Sequence, residues 1–165
     1  MYYIKKKKKP LFDRTKPVGG IGGTKKKQKS KQTLIKKLDK IFSLYIRLRD
    51  SRKYQYKYFR CISCGKVKEF AQADAGHYMS RKHLATRFNE LNVHSECRMC
   101  NRFTSDHLVG YRRNLVAMYG EQKVSMIEYL ARQPFKLNTF EIEQMITFFS
   151  AIVKRMEAEK NATVH

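Results

Sequence analysis

Residues 61–101 decide the fold, and they read CISCGKVKEFAQADAGHYMSRKHLATRFNELNVHSECRMCN. The stretch opens with Cys61-x-x-Cys64 and closes with Cys97-x-x-Cys100, and these pairs contain all four cysteines of the chain. Two such turns can direct four sulfurs at one point, which is the tetrahedral thiolate cage that zinc accepts. The spacing therefore predicts one structural zinc ion with no open position for a substrate.

Two disulfides are the alternative use of four cysteines in a small protein. A C-x-x-C spacing suits convergence on one ion better than a staple between distant segments, so we expect a reducing, cytoplasmic setting. The interval from position 65 to position 96 is longer than the gap in an ordinary zinc ribbon and leaves room for a hairpin and a loop.

Hydrophobic periodicity and turn residues divide the chain into three parts. Residues 1–32 are rich in lysine and glycine and predict a disordered basic arm, residues 33–120 form the main domain, and residues 121–165 form a helical region. We expect helices at 33–50, 104–119, 121–132 and from Asn138 or Thr139 to about 160, and strands within 54–70, 71–79 and 92–96. The fold class is therefore α+β, a small zinc-stapled core flanked by helices. The wide apolar face of the last helix either packs on the domain or forms a dimer seam.

The charge of the chain favours a polyanionic partner. Lysine and arginine total 36 against 14 acidic residues, which gives a net charge of +22. Neutralising phosphates releases condensed counterions, so nucleic acid is the expected partner; a solvated tail and an anionic membrane surface are the alternatives. No apolar run approaches the ~20 residues of a membrane-spanning helix, and no signal peptide follows the first lysine run. We expect neither a membrane nor a small-molecule partner.

One histidine is the best candidate for a catalytic base. His77 lies at the end of the strand expected between the two cysteine pairs, and the imidazole pKa is ordinarily close to neutrality. Asp74 is the nearest carboxylate and shares a strand face with Gly76. Asp74 either binds a catalytic cation directly, acts on it through water, or caps a turn.

Four runs of the sequence carry a family resemblance: CISCG from Cys61, DAGHY from Asp74, RFNELNVH from Arg87 and CRMCN from Cys97. They resemble the HNH nucleases with the ββα-metal fold, and more closely the NinG/Rap recombination endonucleases of lambdoid phages, over residues 33–160. The resemblance implies an Mg²⁺- or Mn²⁺-dependent endonuclease that cleaves Holliday junctions and D-loops in the cytoplasm of a bacterial host.

The resemblance also implies a role for each member of the motif. His77 is the general base, Asn92 fixes the loop and orients His77, and Asn101 binds the catalytic cation through its amide oxygen. Asp74 is the candidate second ligand. The chain departs from many HNH enzymes at Gly76, where those enzymes have an acid.

The expected partner is branched DNA, held through its phosphates. The candidate contacts are basic residues near His77 and Asn101: Arg81, Lys82, Arg87, Arg98, Arg102, Arg112 and Arg113. Nicking opposed strands of a junction requires two active sites, so a homodimer is expected. The alternative functions are an HNH endonuclease on linear duplex DNA, of the homing or restriction type, and a non-catalytic zinc-stapled DNA-binding module.

Overall fold

The computed structural model describes residues 30–163, which form six helices and four short strands. The helices are α1 (Lys31–Ser51), α2 (Leu84–Arg87), α3 (Arg98–Phe103), α4 (His107–Tyr119), α5 (Glu121–Ala131) and α6 (Thr139–Thr163). The strands are β1 (Tyr58–Arg60), β2 (Val67–Glu69), β3 (Ala73–His77) and β4 (Val93–Cys97). No helix in this part of the chain has both the length and the apolar character needed to cross a bilayer.

The largest core lies between the two longest helices. One face of α1 is buried against α6, and the rings of Phe42 and Phe149 meet edge to face with centroids 4.9 Å apart. Burying a side chain of this size contributes about 1.5–3 kcal/mol, so this seam contributes strongly to folding. The buried stripe of α6 is Ile142, Ile146, Phe149, Val153 and Met156. This stripe of α6 therefore packs on the domain, which is the first of the two roles expected for this helix.

Two antiparallel hairpins lie beside α1. Strands β1 and β2 form one, and β3 and β4 form the other. In the second hairpin Asp74 lies opposite Glu96 and Gly76 opposite His94. Because side chains alternate along a strand, these four residues share one face, and Ala75 on the other face packs in the core that contains α1.

Helix α4 covers the polar face of this second hairpin. The fully buried Tyr111 donates a hydrogen bond from its hydroxyl to the carbonyl of Gly76 (2.8 Å) and accepts one from the amide of His94 (2.9 Å). These bonds satisfy a donor and an acceptor on the two strands and fix the hairpin against α4.

The observed elements differ from the predicted ones at their ends. Most of the expected basic arm, residues 1–29, lies outside the described residues. Helix α1 begins at Lys31 because the hydroxyl of Ser30 accepts a hydrogen bond from the amide of Thr33 (3.3 Å) and caps the first turn. Residues 80–91, which lie between two of the expected strands, contain the single turn α2.

The region after the second cysteine pair also differs. Helix begins at Arg98, earlier than the predicted position 104, and a break at residues 104–106 separates α3 from α4. Cys97 keeps an extended conformation as the last residue of β4, and the three residues that follow begin the helix. Cys100 and Asn101 therefore sit on α3 itself. At the last helix, Asn138 and Glu141 form a reciprocal capping box.

Candidate nuclease site

The four cysteines converge on one point. Their sulfur atoms all lie within 4.8 Å of one another, and the amide of Cys97 donates to the sulfur of Cys61 at 3.3 Å. A tetrahedral cage with metal–sulfur bonds of ~2.3 Å separates its sulfurs by ~3.8 Å, so the arrangement fits one ion. Gly65, which follows Cys64, adopts a φ of 72° and closes the first turn. The four cysteines could hold a metal ion such as zinc, as their spacing predicts.

Burial keeps part of this thiol set protonated when no cation neutralises it. Removal from water raises the pKa of Cys61 to about 11 and also raises the pKa of Cys100. Metal binding would replace these protons, because the thiolate is the ligand.

Asp74 and Asn101, proposed from the sequence as cation ligands, lie side by side. The amide nitrogen of Asn101 donates to Asp74 Oδ2 (3.1 Å), so the carboxylate of β3 reaches across to α3 and does not cap a local turn. Arg102 adds a bidentate pair to the same carboxylate, with N–O distances of 2.7 and 2.8 Å. Burial by itself would raise the pKa of Asp74, but the hydrogen bonds from Arg102 and Asn101 outweigh it and lower that pKa.

This pair has the donor chemistry that a hard divalent cation requires. A carboxylate and an amide oxygen are the ligands that Mg²⁺ prefers, with water completing its octahedron. Rotation of the Asn101 amide would bring its oxygen toward Asp74, and Arg102 is exposed and able to move aside. The residues present therefore fit such an ion.

His77 lies at the far end of the same strand. Its Nε2 donates to the carbonyl of Arg87 (3.0 Å), so Nδ1 is left to accept a proton when the ring is neutral. Burial, followed by the positive charge of Arg81, lowers the pKa of His77 to about 4. His77 is three positions beyond Asp74, which places their side chains on opposite faces and ~10 Å apart along the strand. Within residues 30–163 no hydrogen bond joins His77 to Asp74 or Asn101, so its role as base stays a prediction.

Asn92 fixes the loop that follows His77. It is fully buried, its side-chain oxygen accepts from the amide of Met79 (2.7 Å), and its nitrogen donates to the carbonyls of Met79 (3.0 Å) and Thr86 (2.9 Å). The residue after Thr86 is Arg87, whose carbonyl holds His77. Asn92 thus connects to His77 through the loop and not by direct contact.

The candidate DNA contacts fall into two groups. Arg87 pairs with Asp39 (2.6 Å), Arg102 pairs with Asp74, and Arg112 pairs with Glu128 (2.9 Å) and with Glu121. The guanidinium of Arg98 donates to the carbonyl of Ala71 (2.8 Å). Arg81, Lys82 and Arg113 form no ion pair within the described residues. A phosphate could therefore contact Arg81, Lys82 and Arg113 directly. To contact an arginine of the first group, it would have to displace the acidic or carbonyl partner of that arginine.

A broad groove runs between the loop after β3 and helix α4. It encloses about 870 Å³, and its walls include Met79 and His83 on one side and Val109, Arg112 and Arg113 on the other. The groove begins at Tyr78, directly after His77. The sequence analysis identified the arginines of this groove but not its apolar wall. The pattern of apolar residues in α4 does not show which other segment of the chain lies beside the helix.

A buried acid on β4 is the functional candidate that sequence reasoning missed. Glu96 is fully buried, and its Oε1 lies 2.5 Å from the hydroxyl of Ser63 and 2.6 Å from Nδ1 of His107. A Cβ atom at position 76 would overlap Glu96 Oε2, so only glycine fits there. The available signal was the strand alternation that places Glu96 opposite Asp74.

Comparisons with known proteins identify the family. A family model described as "Bacteriophage Lambda NinG protein" matches residues 18–159. Protein ninG of Escherichia phage lambda is 39% identical over 95 residues, and protein ninG of Salmonella phage P22 is 38% identical over 95 residues; each match covers 57% of this chain and 43% of the relative. The matched region therefore spans less than half the length of these relatives, and no solved structure matches the chain. Because the family model covers most of the sequence, the chain belongs to the NinG family of bacteriophage proteins.

Proposed function

We propose that this protein is a divalent-cation-dependent endonuclease that cleaves branched DNA, in particular four-way junctions and D-loops. The observation that carries the proposal is the meeting of Asp74 and Asn101, two oxygen-bearing side chains 3.1 Å apart directly beside the cysteine cluster. A purely structural zinc module has no need of that pair. The resemblance to HNH nucleases supplies the reaction type.

Each residue has a defined part in the reaction. His77 takes a proton from the attacking water, and its lowered pKa keeps it able to accept that proton at neutral pH. Asp74 and Asn101 would hold the cation, which when bound would supply the positive charge that stabilises the charge developing on the phosphoryl oxygens. Arg102, displaced from Asp74, becomes available to the phosphate.

The charge distribution supports DNA as the substrate. Most of the candidate contacts are arginines, which bind phosphates bidentately and read no base. Such contacts suit an enzyme that selects the shape of a branch over its sequence. The groove beside His77 offers a path for one strand, with Arg113 on its wall.

Cleavage of a four-way junction on opposed strands supports a two-fold dimer. The buried stripe of α6 is occupied by α1, so a second copy would use other surface. Phe140 and Phe148 lie on the outer side of α6 with 67% and 58% of their areas exposed. They are the apolar residues that we propose for the dimer contact, and sedimentation of a Phe140→Glu, Phe148→Glu double variant tests it: a monomer is expected, and an unchanged dimer would contradict the assignment.

A second function is favoured by one specific observation. Arg102 already neutralises Asp74 with two hydrogen bonds, an arrangement that is stable without a cation. This supports a non-catalytic DNA-binding module as the alternative. Nicking of linear duplex DNA is the remaining alternative function, since the fold implied by the resemblance also serves nucleases that select a sequence.

Cleavage of matched substrates separates the three functions. A synthetic four-way junction and a linear duplex of the same sequence are incubated with the protein in Mg²⁺ and in EDTA. We expect EDTA-sensitive cleavage of the junction only. Binding without product would favour the binding module, and equal rates on both substrates would favour the linear-duplex nuclease.

A further inference from the structure

Only one of the two carboxylate oxygens of the buried Glu96 has hydrogen-bond partners among the described residues. None of its surface is exposed, and Oε2 has no hydrogen-bond partner among the described residues. A buried carboxylate oxygen without a partner is energetically unfavourable, and such groups are concentrated at functional sites. Gly76 makes room for this oxygen, because any side chain at 76 would overlap it.

The other oxygen of Glu96 fixes an imidazole. Oε1 accepts from Nδ1 of His107 (2.6 Å) and from the hydroxyl of Ser63 (2.5 Å). A carboxylate on one ring nitrogen sets the orientation of the ring and leaves the other nitrogen to face outward. Nε2 makes no hydrogen bond within the described residues, and 20% of the His107 side chain remains exposed. The ring is therefore held at one nitrogen and free at the other.

Helix packing does not by itself account for this pair. His107 is the first residue of α4, and a helix N-terminus disfavours positive charge. If His107 served only to attach α4 to the sheet, a side chain that cannot ionise could serve equally well. The pair instead has the arrangement of a proton-transfer dyad, in which one group orients and the other exchanges a proton.

The dyad lies next to the proposed cation site. Glu96 and Asp74 are directly paired across β4 and β3 and project from the same face, so their Cβ atoms are ~5 Å apart. His77, by contrast, projects from the opposite face at the strand end. His107, through its contact with Glu96, is therefore the histidine on the same face as the proposed cation site.

We propose that His107 is the general acid of the reaction and that Glu96 is its positioning residue; this rests on the proposed nuclease function. The oxygen of water forms a bond to phosphorus while His77 takes the proton that it loses. The bond from phosphorus to the leaving ester oxygen breaks, and Nε2 of His107 gives that oxygen a proton. The products are a hydroxyl end and a phosphate end, and the proton count balances.

The test replaces the leaving oxygen of a junction by sulfur, which leaves without being protonated. Single-turnover cleavage in Mn²⁺ is measured on oxygen and sulfur junctions for the native chain, His107→Gln and His107→Asn. General acid catalysis contributes roughly 10²–10⁴-fold, so both variants are expected to lose at least ~100-fold on the oxygen junction and less than ~3-fold on the sulfur junction. Glu96→Gln is expected to show the same pattern with a smaller loss.

The two substrates also control for folding. A smaller folded fraction would slow both junctions equally, and equal slowing would contradict the proposal, as would native rates in the His107 variants. His77→Ala should lose activity on both junctions because it acts on water. Glu143→Gln, an exposed acid on α6, serves as the matched control for Glu96→Gln and should keep native rates. Absence of any cleavage by the native chain would remove the nuclease proposal and this inference together, whereas an active native chain with equal slowing removes only the inference.

Discussion

Gly76 and Glu96 are matched in size across the β3–β4 hairpin. Glycine at 76 leaves the volume that the carboxylate of Glu96 occupies, and an added Cβ would overlap Oε2 and lie 2.8 Å from the Cβ of Glu96. The space beside position 76 is thus filled by an acid from the neighbouring strand.

Substitution of Gly76 tests this match. Gly76→Ala is expected to lower the free energy of unfolding by about 1–3 kcal/mol, because a methyl group inserted into packed volume forces its neighbours to move. Urea denaturation measures the change. In a Glu96→Ala background, where Oε2 is gone, the same substitution should be less destabilising. Equal effects in the two backgrounds would mean that Glu96 does not set the requirement for glycine.

Loss of one cysteine should destabilise the whole domain. Cys61 and Cys97 connect β1, β4 and α3 through a shared cluster with Phe59, so an ion held there ties these elements together. Cys97→Ser is expected to lower the free energy of unfolding by several kcal/mol, on the order seen when structural zinc is lost, and to remove bound zinc. Metal analysis of the purified protein together with thermal melting provides the check. A variant that melts with the native chain would show that the cluster is not a structural metal site.

Zinc binding should also release protons. Because burial raises the pKa of Cys61 to about 11, this thiol is protonated at pH 7 until a cation arrives. Titration calorimetry in buffers of different ionisation enthalpy should show about two or more protons released per ion, and the affinity should increase with pH. An affinity that is independent of pH between about 6 and about 8 would argue against thiolate ligands.

The pH dependence of cleavage should reflect the environment of His77. Its pKa is lowered to about 4, so the proton-accepting form persists well below the ordinary value of 6.5. The sign follows directly: lowering the pH from about 7.5 to about 5.5 leaves His77 neutral, so kcat/KM should not decline over that range. A decline with a midpoint close to 6.5 would show that another histidine is the base.

Asn92 should be important for stability as well as activity. Its amide satisfies three backbone groups in the interior, and leaving such groups without partners costs about 1–3 kcal/mol each. Asn92→Ala is expected to lower the free energy of unfolding by roughly 3 kcal/mol or more and to slow cleavage. Asn92→Asp, of equal size, keeps the acceptor for Met79 but sets a carboxylate oxygen against the carbonyls of Met79 and Thr86, so its unfolding free energy should also be lower than that of the native chain. A native unfolding free energy in Asn92→Ala would contradict the assigned hydrogen bonds.

Local spacing predicted much of the fold, and tertiary pairing accounts for what it missed. The two C-x-x-C pairs and the helix predicted at 33–50 are both signals contained in short stretches of sequence. The structure brings the four sulfurs together, where they could hold a metal ion, and forms the helix over Lys31–Ser51. The dyad of Glu96 and His107 depends on how β4 lies against α4, which no local pattern contains. The apolar stripe of α6 likewise does not specify whether α1 or a second copy covers it. Asn101 was placed just outside the cysteine cluster from the sequence, but its contact with Asp74 depends on helix beginning at Arg98.

The most direct test of the account is cleavage of a four-way junction in Mg²⁺ by the native chain, Asp74→Ala and Asn101→Ala, with junction binding and zinc content measured in parallel. We expect EDTA-sensitive cleavage by the native chain and a loss of at least ~100-fold in each variant, with zinc content unchanged and binding largely retained. Native cleavage rates in Asp74→Ala and Asn101→Ala would contradict the claim that these two side chains form the catalytic centre.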